Sequence, residues 1–160
     1  MNEPNLSFDE YGFLTPYSVI PADIDTLQRV FVSEFPTSAT RQRLFARFEE
    51  FTVTLSELLP GGYTQWVDGS FVSQKKDPRD IDVLTFVDYR LHQQHQKQFD
   101  ALSSWHKTQV QEVQAFFVSV YPPDHRQRYL YESDLIQWEF DWSRTRTLPR
   151  RKKGIIELTF

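Results

Sequence analysis

Asp80 and Asp82 stand either side of Ile81 at the start of a hydrophobic run, and a Gly69-Ser70 pair precedes them in the stretch WVDGSFVSQKKDPRDIDVLTFVD, residues 66–88. Side chains alternate along a strand, so both carboxylates project from one face, about 7 Å apart at their roots, while Ile81 and Val83 face the other way. Two converging carboxylates suit Mg²⁺ or Mn²⁺, hard ions that take oxygen ligands, keep several waters and accept the rest of their shell from a nucleotide's phosphates. Gly69 can take backbone angles that a side chain forbids, which lets the peptide approach a phosphate closely; Ser70 adds a hydroxyl, and the following turn can aim N–H groups at the same anion. Lys75, Lys76 and Arg79, in the lead-in KKDPRD, could neutralise the acids in part or hold a phosphate. A bare D-x-D also ends many strands as plain solvated charge. Here its same-face successors are Leu84 and Phe86, so like charges are held close together beside apolar surface, a costly arrangement unless a cation neutralises it.

The elements that must position these residues follow from periodicity. Residues 1–21 form a turn-rich arm with Pro4, Gly12, Pro16 and Pro21, expected to be pinned to the body by Phe8, Tyr11, Phe13 and Tyr17. Apolar residues at helical spacing predict an amphipathic helix over 22–35, ended by Pro36, and a second from about Ser38 to the PGG at 60–62. The second helix puts Leu44, Phe45, Phe48, Phe51, Leu55, Leu58 and Leu59 on one side and Arg41, Arg43, Arg47, Glu49 and Glu50 mostly on the other. Strands are predicted over 63–67, 80–87 and 113–121, with a polar, Gln-rich solvated helix over 89–107 and a polar helical segment after Pro122-Pro123. The closing KGIIELTF supplies a possible last strand behind a basic loop over 143–153. The pattern is α+β, a small mixed sheet flanked by helices, in a single domain of 160 residues. Aromatics at 16% imply a core built largely from rings, and the absence of Cys excludes disulfides and thiolate metal sites. The acidic N-terminal stretch has no apolar h-region and no segment approaches membrane-span length, so the expectation is a cytoplasmic protein with no membrane partner.

The stretch GSFVSQKKDPRDIDVLTFV resembles the signature of the nucleotidyltransferases related to DNA polymerase beta: an apolar residue, Gly and Ser, a loop, then Asp, an apolar residue, Asp and another apolar residue. It is similar above all to the small stand-alone bacterial members, some of which act in toxin–antitoxin or phage-defence pairs. The resemblance implies a nucleotidyltransferase-like fold in which a helix carrying the Gly-Ser turn lies between two strands of a mixed sheet. It implies that Asp80 and Asp82 bind Mg²⁺ and that Gly69 and Ser70 contact the terminal phosphates of a nucleoside triphosphate. It covers residues 66–88 only.

Nucleotide-transferring members of that family normally present a third carboxylate from a later strand. The corresponding positions here are Gln114 and Ala115, neither of which can serve as a base or a carboxylate ligand. Glu112, just before that strand, and Glu139 and Asp141, which would share a face if QWEFDW were extended, are the candidate substitutes; each also reads as solvated charge or an ion-pair partner. Arg144, Arg146, Arg150, Arg151, Lys152 and Lys153 crowd one stretch of a chain whose net charge is -4. They form an electrostatic footprint for RNA, a triphosphate or an acidic protein, or simply a solvated loop. His92, His95, His106 and His125 form no cluster with metal-ligand spacing. Two functions are therefore carried forward. One is a Mg²⁺-dependent transfer of a nucleotidyl group to a hydroxyl on RNA, protein or a small molecule; the other is a binding module that keeps the fold without the chemistry, acting as an antitoxin or a regulatory or defence-system partner.

Overall fold

The computed structural model describes residues 4–160. A hairpin of β1 (Ser7–Phe8) and β2 (Leu14–Thr15) opens the chain, followed by β3 (Val19–Pro21). Then come α1 (Ile24–Gln28), a π-helical turn (Arg29–Ser33) and α2 (Arg41–Leu58). Next are β4 (Thr64–Asp68), a single 3₁₀ turn (Ser70–Val72) and β5 (Ile81–Asp88). The second half holds α3 (Tyr89–Gln94), α4 (Gln96–Leu102), β6 (Val113–Val120), α5 (Arg128–Trp142) and β7 (Ile155–Thr159).

The main sheet is five-stranded and mixed, in the order β3-β7-β4-β5-β6. The outer pairs β3/β7 and β5/β6 are parallel, and the inner pairs β7/β4 and β4/β5 are antiparallel. Alternation along the strands feeds two apolar layers. On one face Val67, Val83, Val87, Ala115 and Ile156 meet Leu44, Phe45, Phe48, Phe51 and Leu55 of α2 together with Leu27, Val30 and Phe31. On the other, Trp66, Leu84, Val118 and Ile155 meet Trp142, with Leu135 and Trp138 of α5 packed alongside. Each fully buried large side chain contributes about 1.5–3 kcal/mol, so both layers hold the sheet between helices.

The structure departs from the periodicity in instructive places. Where one helix is expected over 22–35, the α-helix is only Ile24–Gln28 and runs on into the π turn. Asp23 caps it, accepting a hydrogen bond from the Thr26 N–H at 2.7 Å. The Gln-rich stretch forms two short helices, and Phe99 is fully buried in the core. The N-terminal arm is held by Leu14, Ile20 and the edge-to-face contact of Phe8 with Phe31, whereas Tyr11 and Tyr17 are exposed. Pairing of β3 with β7 turns the end of this arm into a strand of the sheet, which apolar spacing in a short turn-rich segment does not announce.

Candidate functional site

β5 lies between β4 and β6, and its first residues carry the acidic pair. In register, Asp82 stands opposite Asp68 on β4 and Gln114 on β6. Residues paired across strands point to the same side of a sheet, so one row reads Asp68, Asp82, Gln114 across three strands, on the face that also holds Trp66 and Leu84. Asp80 precedes β5 by one residue. This end of the sheet opens into a cleft of about 990 Å³ lined by Asp68, Gly69, Ser70, Lys75, Asp80 and Asp82, and also by Arg144, Arg146 and Lys153.

The Gly-Ser loop is fixed from three sides. Gly69 has φ 82° and ψ -166°, backbone that L residues essentially never adopt. A Cβ there would fall well inside contact distance of Asp82 Oδ2 and 3.0 Å from its Cγ, so the glycine lets the peptide lie directly against the carboxylate. From outside, the Gln74 N–H donates to the Gly12 carbonyl at 2.9 Å, and Phe13 pairs with Ser73. From inside, Arg41 is fully buried, and its guanidinium donates to the carbonyls of Phe31 (2.8 Å), Phe71 (2.6 Å), Ser73 (2.7 Å) and Lys75. The ring of Phe35 lies 3.9 Å from the guanidinium carbon. Arg41 was expected on the polar face of α2; it sits in the first turn, where the loop covers it, and five N–H donors in one plane can satisfy several converging carbonyls at once. Burial lowers its pKa to about 10, with Asp77 opposing, so it stays charged at neutral pH.

Electrostatically the cleft is strained. Burial, then the neighbouring Asp80, push Asp82 up to about 6, while Arg146 and Lys153 pull it back. Asp80 is raised by burial and lowered by Arg146, Lys75 and Arg79. Asp68 is buried and ion-paired with Lys153, yet burial still lifts it to about 7, and Asp82 adds to that. The Gly69 N–H also acts to lower it, but no hydrogen bond of normal geometry among the described residues reaches its buried Oδ1. Oxygen-only donors, like charges held together and an orphaned carboxylate oxygen suit a hard divalent cation. Among the described residues no group of three His, Cys, Asp or Glu side chains closes around one point.

The remaining predicted residues divide. Lys75 lines the cleft, whereas Lys76 and Arg79 do not, although Arg79 acts on Asp80 through space. Glu112 is drawn away by Arg43 at 2.8 Å and Arg47 at 3.9 Å. Glu139 and Asp141 do not share an extended face, because α5 is helical through Trp142. Asp141 lines the cleft and accepts from Gln137 Nε2 at 2.9 Å; Glu139 faces a separate hollow beside Trp66 and Glu157. Of the basic stretch, Arg144, Arg146 and Lys153 line the cleft and Arg150, Arg151 and Lys152 do not. The stretch is a folded-back loop, with the Thr145 N–H donating to the Arg151 carbonyl and the Lys153 N–H to the Ser143 carbonyl, both at 2.9 Å, and Arg151 lies over the Tyr11 ring. The Gly-Ser turn is followed by one 3₁₀ turn, not by a longer helix. Asp68, the Lys153–Asp68 pairing and the buried Arg41 were missed by the sequence reading. The signal for Asp68 was present, since it abuts Gly69 and shares a face with Trp66 on the strand leading into the turn.

The chain belongs to the family of unknown function DUF6932, whose profile matches residues 6–159. No curated protein and no solved structure matches it. No helix among the described residues is long and apolar enough to cross a membrane.

Proposed function

We propose that this chain is a nucleotidyltransferase-like protein that uses Mg²⁺ or Mn²⁺ to transfer a nucleotidyl group from a nucleoside triphosphate to a hydroxyl acceptor. The observation that carries the reading is the packing of the Gly69 peptide against Asp82, with Ser70, Asp80 and Lys75 on the same cleft. Asp80 and Asp82 would hold the cation, which when bound supplies charge neutralisation at the phosphates and lowers the pKa of a coordinated oxygen. The Gly69–Ser70 turn would receive the β- and γ-phosphates, with Lys75 and Arg146 compensating their charge. Transfer forms a bond from the acceptor oxygen to the α-phosphorus and breaks that phosphorus's bond to the β-bridging oxygen. Pyrophosphate leaves, and the acceptor proton passes to a carboxylate or to water. The protein's part is positioning and preorganised charge.

A second reading rests on Gln114. The family resemblance places an acid there, and the amide is instead turned to donate to the Gln111 carbonyl at 3.2 Å. Gln114 favours a binding module that keeps nucleotide or partner recognition without transfer. Calorimetric titration with ATP, GTP, CTP and UTP, with and without Mg²⁺, addresses both. Mg²⁺-dependent binding that an Asp80→Ala, Asp82→Ala variant loses supports the site. Absence of binding to every triphosphate, by protein shown to be folded, refutes it; binding without transfer to RNA, protein or small-molecule hydroxyls supports the module.

A further inference from the structure

We infer that Asp68 is the third carboxylate of this site, moved from β6 to β4, and that Lys153 is the cation that occupies it until a divalent metal enters. The inference rests on the reading of Asp80 and Asp82 as a metal site. Its geometry is the row across the sheet: the position flanking Asp82 on one side is Gln114, and the position flanking it on the other is Asp68. An acid on β4 can serve the same carboxylate neighbour from the opposite side, because both cross-strand neighbours of Asp82 present their side chains to the same face.

Two further observations point to a ligand and not merely to a structural ion pair. Asp68 lines the cleft although it is itself buried, and no hydrogen bond of normal geometry among the described residues reaches its Oδ1. A buried carboxylate oxygen left without a donor is a costly group that native structures retain for a reason, cation binding being one. The second is the kind of partner that Oδ2 has. Lys153 is a single ammonium at the end of the basic loop, immediately before Gly154 and β7, and its field reaches Asp82 as well as Asp68. One point charge on a flexible stem near two carboxylates can be exchanged for a divalent ion; a bidentate arginine could not leave so simply. With Lys153 on Asp68 the three carboxylates do not close around one point. Release of Asp68 by Lys153 would bring the third oxygen donor in and free the ammonium for a phosphate of the same substrate.

Direct titration of the protein with Mn²⁺, followed by the electron paramagnetic resonance signal of the free ion, tests this without an activity assay. The variants are Asp68→Asn, Lys153→Met, the charge-balanced pair Asp68→Asn, Lys153→Met, and Asp80→Asn, Asp82→Asn. Asp68→Asn is expected to weaken Mn²⁺ binding by at least ~10-fold, the scale on which supporting groups of a metal site act. Lys153→Met is expected to tighten it, because the competing cation is gone. The balanced pair leaves no buried charge unpaired, so it keeps the test valid if Asp68→Asn alone unfolds; it should bind more weakly than the wild type but, with the Lys153 charge gone from Asp82, less weakly than Asp68→Asn. Wild-type binding that Asp80→Asn, Asp82→Asn abolishes but that the balanced pair leaves intact overturns the role of Asp68 while the metal site itself stands. Unchanged affinity in Lys153→Met overturns the exchange. No Mn²⁺ binding by the wild type overturns both this inference and the reading beneath it.

Discussion

Replacing Gly69 by Ala tests whether the Gly-Ser loop is built for close approach to Asp82. Two costs are separable. The backbone at φ 82°, ψ -166° lies in a region essentially reserved for glycine, and forcing a side chain there costs on the order of 1–3 kcal/mol. The new methyl would also collide with the Asp82 carboxylate, whose Cγ lies 3.0 Å from the ideal Cβ position. Rotating that carboxylate out of its rotamer adds roughly 0.5–1.5 kcal/mol. In an Asp82→Ala background only the Asp82 Cβ remains, at 3.5 Å, an ordinary contact, so the second cost disappears and the first persists. Urea unfolding of the four proteins of this cycle should therefore give a larger penalty for Gly69→Ala in the wild-type background, with a coupling of about 1 kcal/mol between the sites. The same substitution should remove Mg²⁺-dependent triphosphate binding, because it moves a ligand. A penalty of equal size in both backgrounds would show that the glycine serves backbone geometry alone, and one below about 0.5 kcal/mol in either would refute the strained loop itself.

Arg41→Met keeps most of the aliphatic stem but strips the donors from the carbonyls of Phe31, Phe71, Ser73 and Lys75. At roughly 1–3 kcal/mol for each buried acceptor left unsatisfied, and less than additively, the expected loss is about 3–5 kcal/mol. That corresponds to a melting temperature about 10 °C lower by calorimetry, and a drop under about 3 °C would contradict it. Arg41→Lys should not restore stability, since one ammonium cannot span four carbonyls. Stability should also depend on pH through the acidic row. The folded state holds protons on Asp82 and Asp68 more tightly than the unfolded chain does, with values raised from 3.8 to about 6 and about 7. Their contribution is therefore greatest below pH 4 and is lost as pH rises through those values. Asp82 alone accounts for about 1.4 kcal/mol per pH unit between roughly pH 4 and 6. Thermal unfolding without metal should show a falling midpoint from pH 4 to pH 7, a fall that Mg²⁺ and Asp82→Asn each reduce; a midpoint rising over that range would contradict the assignment.

What was legible in the chain was whatever is local. The strand entering the Gly-Ser turn, the strand that begins after Asp80, and the long helix with Leu44, Phe48, Phe51 and Leu55 on one side all follow from spacing within a single element; the strands fall within one residue of their observed bounds, and the helix starts at Arg41 rather than near Ser38. The burial of Asp82 was legible for the same reason, since Leu84 and Phe86 follow it on one face. Errors arose where a second element decides. Arg41 has the spacing of a solvent-facing residue in the first turn of α2, and only the later loop, folded over it, makes it the most buried charge in the described chain. Glu139 and Asp141 alternate in a way that suits a strand, but the apolar partners Leu135, Trp138 and Trp142 keep the segment helical against the sheet.

The residue that matters most for the candidate chemistry shows why register is the hard step. Asp68 lies immediately before the Gly-Ser motif, yet nothing in a linear sequence says that it faces Asp82, because that depends on β4 and β5 pairing antiparallel through a connection of a dozen residues. Nor does sequence say that Lys153 reaches it. Lys153 arrives because β7 inserts between β3 and β4, which carries the residues just before Ile155 to the end of the sheet where the acids open. The basic loop, scored by composition alone, is six cations that any anion could claim. Placed by topology, its members separate into Lys153 inside the row, Arg144 and Arg146 on the cleft wall, and Arg150, Arg151 and Lys152 away from it. Charge count gives an attraction, and the strand order decides which of those charges pair with the acidic row and which stay on the cleft wall.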